Sequence, residues 1–403
     1  MLSVKEATEK VLSSPVKYKT DNVYILDSLF NVLAEDIISQ DDIPSCDNSA
    51  VDGFALKAAD LLGAERSQSV KLRLFREDIP AGKITCSVIE SGTCMKIMTG
   101  APIPQGCDCV VMKEDVLKQG NDVLIFSEHK QGENIRFRGE DIKKGDTVIK
   151  KGKKIYPADI GVLASIGRSE VLINKQPVIG IITTGDELIE ISNKLEMGKV
   201  RDSNSYFLAA QILETRTIFK KYGILKDNKD LLMEHILQAL NECDILLLTG
   251  GVSVGDYDYV KEVLKNIGAE FIFSGVKQKP GKPVTFLTFK DKFIFGLPGN
   301  PVAAMVCFEI YVRPLIKKIM GDDRLFRKKI LAKAADSYSH KDGRTEFIRV
   351  KLDCQENGFY FTTTGAQGSG VLTSMAEADG LAIFPEFSGN IAKWTEVEVL
   401  LIK

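Results

Sequence analysis

Ile245 to Asp258 reads I-L-L-L-T-G-G-V-S-V-G-D-Y-D. The apolar run Ile245–Leu248 is a strand candidate, and the glycines after it are loop formers. An amphipathic helix candidate, Tyr257–Ile267, follows directly. Outward from this stretch the same alternation continues. Apolar segments fall at Val178–Thr183, Thr217–Tyr222, Glu270–Phe273 and Phe293–Phe295. Helical patterns fall at Ser203–Leu213, Lys229–Leu240 and Val302–Ile319. Asp202 or Ser203 can cap the first of these helices, Asp227 or Asn228 the second. Asn300-Pro301 offers a cap followed by Pro at the first helical position. Alternation of strands and helices predicts a doubly wound, mostly parallel sheet covered on both faces. In such a sheet, ligands bind beyond the carboxyl ends of the strands, near a topological switch point.

The flanks have a different texture. Ser3–Leu12, Asp27–Ala34 and Tyr156–Ser165 read as helical, and Lys143–Tyr156 as a Gly-turned hairpin. Between them, residues 44–141 are short strands and loops. The expectation is an N-terminal region, 1–170, whose pieces 1–43 and 142–170 bracket a β-rich insertion. The α/β domain then spans 171–322. From 323 to 403, β-like segments at Lys329–Ala334, Thr345–Leu352, Phe359–Thr364, Leu381–Pro385 and Glu396–Ile402 predict a small all-β domain.

The chain has 403 residues, 53 basic and 55 acidic, for a net charge of -2. That balance argues against a nucleic-acid binder, which needs a basic excess. No apolar run approaches the roughly 18 residues of a membrane span. The first residues carry Lys5, Glu6, Glu9 and Lys10 and do not read as a secretory signal, so a cytoplasmic location is expected. The cysteines lack zinc spacing and are expected reduced. His129, His235 and His340 are far apart in sequence and form no recognisable triad.

Four loops fall where strands end. They are Thr183-Thr184-Gly185-Asp186-Glu187, Thr249-Gly250-Gly251-Val252-Ser253-Val254-Gly255-Asp256-Tyr257-Asp258, Lys279-Pro280-Gly281-Lys282-Pro283 and Gly296-Leu297-Pro298-Gly299-Asn300-Pro301. Glycines let a backbone approach a ligand and aim amides at anions. Lys279 and Lys282 are point cations suited to phosphate or another oxyanion. Glu187, Asp256 and Asp258 bring hard carboxylate oxygens, which beside phosphates suit Mg²⁺. Taken singly, each loop can be a plain turn, and Asp256 or Asp258 a helix cap. The loops match neither a Walker A sequence nor the dinucleotide G-x-G-x-x-G.

Three polar clusters stand in the N-terminal third: Asp47 to Ala55 (D-N-S-A-V-D-G-F-A), Met98 to Pro104 (M-T-G-A-P-I-P) and Asn134 to Asp141 (N-I-R-F-R-G-E-D). Turn chemistry accounts for them as loops. Arg136 and Arg138 alternate with Phe137, which would set both on one side of a strand, towards an anion or an adjacent subunit.

In this order and spacing, the clusters resemble the molybdopterin molybdotransferase family, the MoeA type related to the E domain of gephyrin. The likeness includes T-T-G-D-E-L, D-S-N, K-P-G-K-P, G-L-P-G-N-P and T-T-T-G-A-Q-G-S, and runs along nearly the whole chain. It implies a molybdopterin-binding α/β domain, a C-terminal β-barrel, and a reaction in which adenylylated molybdopterin and molybdate give molybdenum cofactor and AMP with Mg²⁺. It implies a homodimer whose site is shared between subunits, and contact with a molybdopterin adenylyltransferase. By motif, Glu187, Asp227 and Asp258 are acidic site residues, with Glu187 and Asp258 on the metal. Asp52, Thr99 and Asp141 come from the partner copy. Gly250, Gly251 and Ser253 contact substrate, and Lys279, Lys282, Arg349 and Ser369 surround molybdate and the dithiolene. Pro298 and Pro301 shape the wall. The rival reading on the same fold is an adenylyltransferase acting on molybdopterin and ATP, and a further one a scaffold without activity.

Overall fold

Ser3 and Glu6 close the start of the first helix with their own side chains. The Glu6 amide donates to Ser3 Oγ at 3.3 Å, and the Ser3 amide to Glu6 Oε2 at 2.8 Å. This reciprocal cap satisfies two orphan donors of α1 (Val4–Ser13). The computed structural model describes residues 1–226, 228–250 and 259–403, with the side chains of Arg76 and Glu77 left aside. The chain divides into two compact units, Met1–Asp21 with Leu172–Lys403, and Asn22–Val171.

The Asn22–Val171 unit is built on a six-stranded sheet. Its strands are β1 (Gly53–Leu56), β2 (Val70–Ile79), β3 (Thr93–Ile97), β4 (Cys109–Met112), β5 (Val116–Gln119) and β6 (Asp122–Ile125), in the order β4-β1-β3-β2-β6-β5. Gly53 is required where β1 passes β4, because a Cβ there would lie 2.0 Å from the Val111 carbonyl oxygen. Helix α2 (Pro157–Ser165) starts with Pro at its first turn, as expected.

Two expectations fail in this unit. Residues 27–34 form turns and bridges in place of a helix; the Ser28 and Asn31 side chains bond to the carbonyls of Ile25 and Asp27, competing with a helical ladder. The Lys143–Tyr156 hairpin does not form. Thr147–Ile149 pairs instead with Ile37–Ile38, and Lys154 bridges to Val32. Sequence spacing alone sees the local partner and misses the distant one.

The other unit carries the α/β sheet. Its elements are β7 (Val178–Thr184), α3 (Asn204–Glu214), β8 (Ile218–Leu225), α4 (Lys229–Glu242), β9 (Ile245–Thr249), α5 (Tyr259–Asn266), β10 (Glu270–Ser274), β11 (Thr285–Phe289) and β12 (Lys292–Leu297). The order is β8-β7-β9-β12-β11-β10. β8, β7, β9 and β12 are parallel; β11 runs antiparallel to both its neighbours. From β7 the chain goes to one edge at β8, then returns across to β9. The switch point therefore lies between β7 and β9.

Successive β9 residues face opposite ways. Ile245 and Leu247 enter the core with α1, α3 and the Pro301–Ile319 helix, while Leu246 and Leu248 join α4 and α5 on the other face. All four are fully buried, each contributing about 1.5–3 kcal/mol. The expected helix over Val302–Ile319 is continuous but not uniform. It comprises α6 (Pro301–Cys307), a π turn (Phe308–Val312) and α7 (Arg313–Ile319). Glu309 in the π turn is 4% exposed and sits between Arg313 and Arg327.

The C-terminal strands are β13 (Lys329–Ala334), β14 (Thr345–Gln355), β15 (Gly358–Thr363), β16 (Gly380–Phe384) and β17 (Glu396–Leu401). They run β14-β15-β13-β17-β16, and β16 pairs back onto β14 to close a five-stranded barrel. A short helix, α8 (Leu372–Glu377), lies between β15 and β16. Gln278–Lys279 adds a parallel pairing onto Thr345–Glu346, so the K-P-G-K-P turn is tied to the barrel wall.

Candidate functional site

At the switch point, backbones touch. Gly250 has φ 86°, and a Cβ on it would stand 2.2 Å from the Thr184 carbonyl oxygen. A Cβ on Gly299 would come 4.0 Å from the Gly250 Cα. The first, second and fourth loops thus meet at one place. Asn204, in the first turn of α3, braces them: its Nδ2 donates to Gly299 O at 2.8 Å and to Thr249 Oγ1 at 3.1 Å. Asp202 fixes the same turn by accepting from the Ser205 amide at 3.0 Å and from Thr183 Oγ1 at 3.1 Å. Asp202 is the working cap of α3; Ser203 makes no capping bond. The hydroxyls of Thr184 and Ser205 are buried in this cluster without a hydrogen-bond partner among the described residues.

Glu187 ends the first loop and is exposed. Its carboxylate folds back over Gly185, where a Cβ would meet Oε2 at 2.6 Å. Pro298 is buried behind the fourth loop, and Pro301 opens α6. The Val302 amide donates to the Ser369 carbonyl at 3.2 Å, which brings Ser369 to the start of α6. The barrel therefore delivers its G-A-Q-G-S loop to the rim of the central sheet.

Arg349 is 1% exposed. Its Nη2 donates to the carbonyls of Ala366 and Gly368, each at 3.1 Å, and its Nε to Ser374 Oγ at 2.9 Å. Burial pushes its guanidinium down from the ordinary value. In this arrangement Arg349 holds the loop that carries Ser369. Gln367 locks the same loop, accepting from the Arg349 amide at 2.9 Å.

The K-P-G-K-P turn is anchored from beneath. Gln278 is fully buried; its Nε2 donates to the Pro280 carbonyl at 2.9 Å, and its Oε1 accepts from the Tyr311 hydroxyl. Gly281 passes so close to α6 that a Cβ would sit 2.5 Å from Cys307 Sγ. Lys279 Nζ pairs with Glu346 Oε1 at 3.1 Å, while Lys282 is exposed and makes no ion pair among the described residues. Asp227, Gly251, Ser253 and Asp258, with Asp256, lie outside the described residues. Asn228 caps α4, accepting from the amides of Asp230 and Leu231.

In the Asn22–Val171 unit the three polar clusters come together. Ile135–Arg136 pairs with Asn48–Ser49, and the Gly100 amide donates to Ser49 O at 2.8 Å. Asp52 Oδ1 accepts from both the amide and the hydroxyl of Thr99, at 2.8 Å each. Those two bonds, with Lys113 at 3.6 Å, hold the Asp52 carboxyl below its usual range. Asp141 is exposed, its amide bonded to the Ile43 carbonyl. Only Ile135–Arg136 is strand, so Arg138 does not share a strand face with Arg136; it pairs with Asp42 at 2.6 Å.

Sequence reasoning missed several of these. Asn204 and Asp202 show in the sequence only as D-S-N and a cap. Glu346 carried no signal. Among the described residues no three His, Cys, Asp or Glu side chains gather to hold a metal ion. Glu187 brings a hard carboxylate to the end of the first loop, a donor that fits an ion shared with substrate phosphate and water and not a closed protein cage. No helix of the described residues is long and apolar enough to cross a membrane, and all eight cysteines are unpaired.

An α/β domain whose strand-end loops meet at its switch point, a barrel feeding a further loop to the same rim, and a β-rich N-terminal unit define a multidomain protein of mixed α/β and β architecture. Comparison narrows this. Residues 2–167 match the MoeA N-terminal region (domain I and II), 180–318 a probable molybdopterin binding domain, and 331–402 the MoeA C-terminal region (domain IV). The molybdopterin molybdenumtransferase of Staphylococcus epidermidis RP62A is 35% identical over 401 residues, covering 99% of this chain and 95% of that protein. Its counterpart in Staphylococcus aureus COL is 34% identical over 400 residues, with the same coverage. A crystal structure of a molybdopterin biosynthesis moeA protein from Pyrococcus horikoshii OT3 superposes over all of both chains, with a TM-score of 0.84 and 31% identity. The chain belongs to the MoeA family of molybdopterin molybdenumtransferases.

Proposed function

We propose that this transferase of molybdenum cofactor biosynthesis inserts molybdate into adenylylated molybdopterin, releasing AMP and molybdenum cofactor. The observation that supports the reading is the meeting of Gly250, Gly299 and the start of α6 at the switch point, with Ser369 bonded to the same helix start. The backbone amides of Gly250 and Gly251 and the Ser253 hydroxyl bind the phosphate end of the substrate. Lys279, Lys282 and Ser369 bind molybdate, a dianion that needs cations and hydroxyls, and Arg349 holds the Ser369 loop. Pro298 and Pro301 wall the dithiolene. Glu187 and Asp258 would hold Mg²⁺, which offsets charge on the phosphate oxygens as the phosphoanhydride breaks. Asp227 adds a further acid at the start of α4. Asp52, Thr99 and Asp141 come from the second copy of a cytoplasmic homodimer. The organisation into 1–170, 171–322 and 323–403 follows these roles, and contact with a molybdopterin adenylyltransferase would pass on the adenylylated substrate.

The test is to supply adenylylated molybdopterin, molybdate and Mg²⁺ and follow AMP. AMP release that depends on molybdate is expected. Adenylylated product formed from ATP and molybdopterin without molybdate would replace this reading by an adenylyltransferase. Lys279→Ala should raise the molybdate concentration for half-activity about tenfold or more, the loss of a charge-assisted contact worth ~1.5–3 kcal/mol. An unchanged requirement removes Lys279 from the oxyanion site. Asp258→Ala should abolish most transfer while leaving the fold intact, and full activity would cancel its role.

A further inference from the structure

Glu346 is an acid placed beside the cation meant for an anion. It is 6% exposed, and its Oε1 lies 3.1 Å from Lys279 Nζ. Its other oxygen, Oε2, faces His340 Nδ1 at 4.0 Å. The His340 side chain is wholly buried, and Nδ1 has no hydrogen-bond partner among the described residues. His340 Nε2 lies 2.9 Å from the Pro385 carbonyl. A carbonyl only accepts, so Nε2 carries the hydrogen. In the neutral ring Nδ1 is then a bare lone pair turned towards a carboxylate. Adding a proton to Nδ1 converts that arrangement into a buried ion pair.

Other groups near the ring do not supply this charge. Phe384 packs edge-on against it at 6.0 Å, and the Asn390 side chain accepts from the His340 amide. Glu386, next to Pro385, is already paired with Lys277 at 2.8 Å. Asp342, in the same loop as His340, accepts from the Gly389 amide. Arg349, further along β14, is spent on carbonyls and Ser374.

This step rests on the assignment of Lys279 to the molybdate site. We propose that Glu346 and His340 are positioning residues of that site: Glu346 holds Lys279 until the oxyanion draws it away, and His340 then binds a proton from solvent and becomes the partner of Glu346. A buried carboxylate stripped of its only cation among the described residues is strongly unfavourable, which is the force behind the proton uptake. Oxyanion binding and proton binding are therefore linked, each strengthening the other.

The test is titration calorimetry of molybdate into the full-length protein at neutral pH, in buffers of different ionisation enthalpy. The dependence of heat on buffer gives the protons taken up. Wild type should take up a fraction of a proton per site, and the uptake should pass through a maximum and vanish at high pH, where neither state holds the proton. His340→Gln should bind molybdate with no uptake and an affinity that no longer improves on acidification. Glu346→Gln should also abolish uptake, and should bind molybdate several-fold more tightly, because the competing charge is gone. Molybdate binding by wild type without uptake, or uptake that persists in His340→Gln, overturns the proposal while leaving the oxyanion site in place. Unaltered molybdate binding in Lys279→Ala instead removes the site itself, and the proposal with it.

Discussion

Glu309→Ala lowers the unfolding free energy by about 3–5 kcal/mol, the cost of breaking a buried ion cluster from one side. Glu309 Oε2 accepts from Arg313 Nε and Arg327 Nε, each at 2.6 Å, and Oε1 accepts from Gln211 Nε2 at 2.7 Å. Arg313 and Arg327 also reach Glu214, whose side chain is 49% exposed and screened by water. Glu214 cannot replace a carboxylate that is almost wholly enclosed. Arg327 lies in the segment between α7 and β13, so the cluster also fixes how the barrel leaves the α/β sheet. Urea denaturation of the variant is the measurement, and a loss under ~1 kcal/mol would mean Glu214 suffices. Acid should act on the same cluster. Burial alone would raise the Glu309 pKa, but Arg313 and Arg327 outweigh it and the net shift is downward. A lowered carboxyl contributes fully above its unfolded value of about 4.3 and loses its contribution as pH falls through the folded value. Wild type should therefore lose more stability than the variant on acidification below about pH 4.

Gly250→Ala is expected to cut transfer about 100-fold or more. The new Cβ would lie 2.2 Å from the Thr184 carbonyl oxygen and demands a φ of 86° from an L side chain. Backbone cannot swing aside as a flexible side chain can, so the ends of β7 and β9 must separate. A misplacement of about 1 Å in a catalytic loop costs on the order of 10²-fold. Gly268→Ala is the control. Its φ is 84°, yet nothing stands within 4 Å of its Cβ, so it carries the backbone strain without the collision. Gly268→Ala should keep near-normal activity with about 1–3 kcal/mol less stability. Equal activities in the two variants would show that the contact at the switch point does not set the geometry of the site.

The α/β sheet was legible because its signals are local. Ile245–Leu248 is a short apolar run, Asn228 a good cap, and Pro301 a good first helical residue. β11 (Thr285–Phe289) escaped, since it is an antiparallel strand inside a pattern that otherwise alternates strand and helix. The helix at Leu372–Glu377 was too short for its periodicity to register. The same division runs through the site. Gly250, Lys279 and Pro301 announce themselves by residue type. Glu346 does not, because an acid on a strand gains meaning only when Gln278–Lys279 is laid along it. His340 was set aside for lack of a sequence neighbour, and its neighbour in space is six residues away across a loop. Asn204 reaches Thr249 across 45 positions and Gly299 across 95, relations that no local pattern carries.

The placement of α1 has a consequence for synthesis. Lys318 Nζ donates to the Ser14 carbonyl at 2.8 Å, a contact between residues 304 positions apart. At ~5–20 residues per second, a ribosome needs roughly 15–60 s to travel that distance. Throughout that interval Ala7 and Val11, both fully buried in the finished protein, have no core to enter. The newborn chain must carry the apolar stripe of α1 unsheltered for that time, which makes this helix a natural place for a chaperone to hold on.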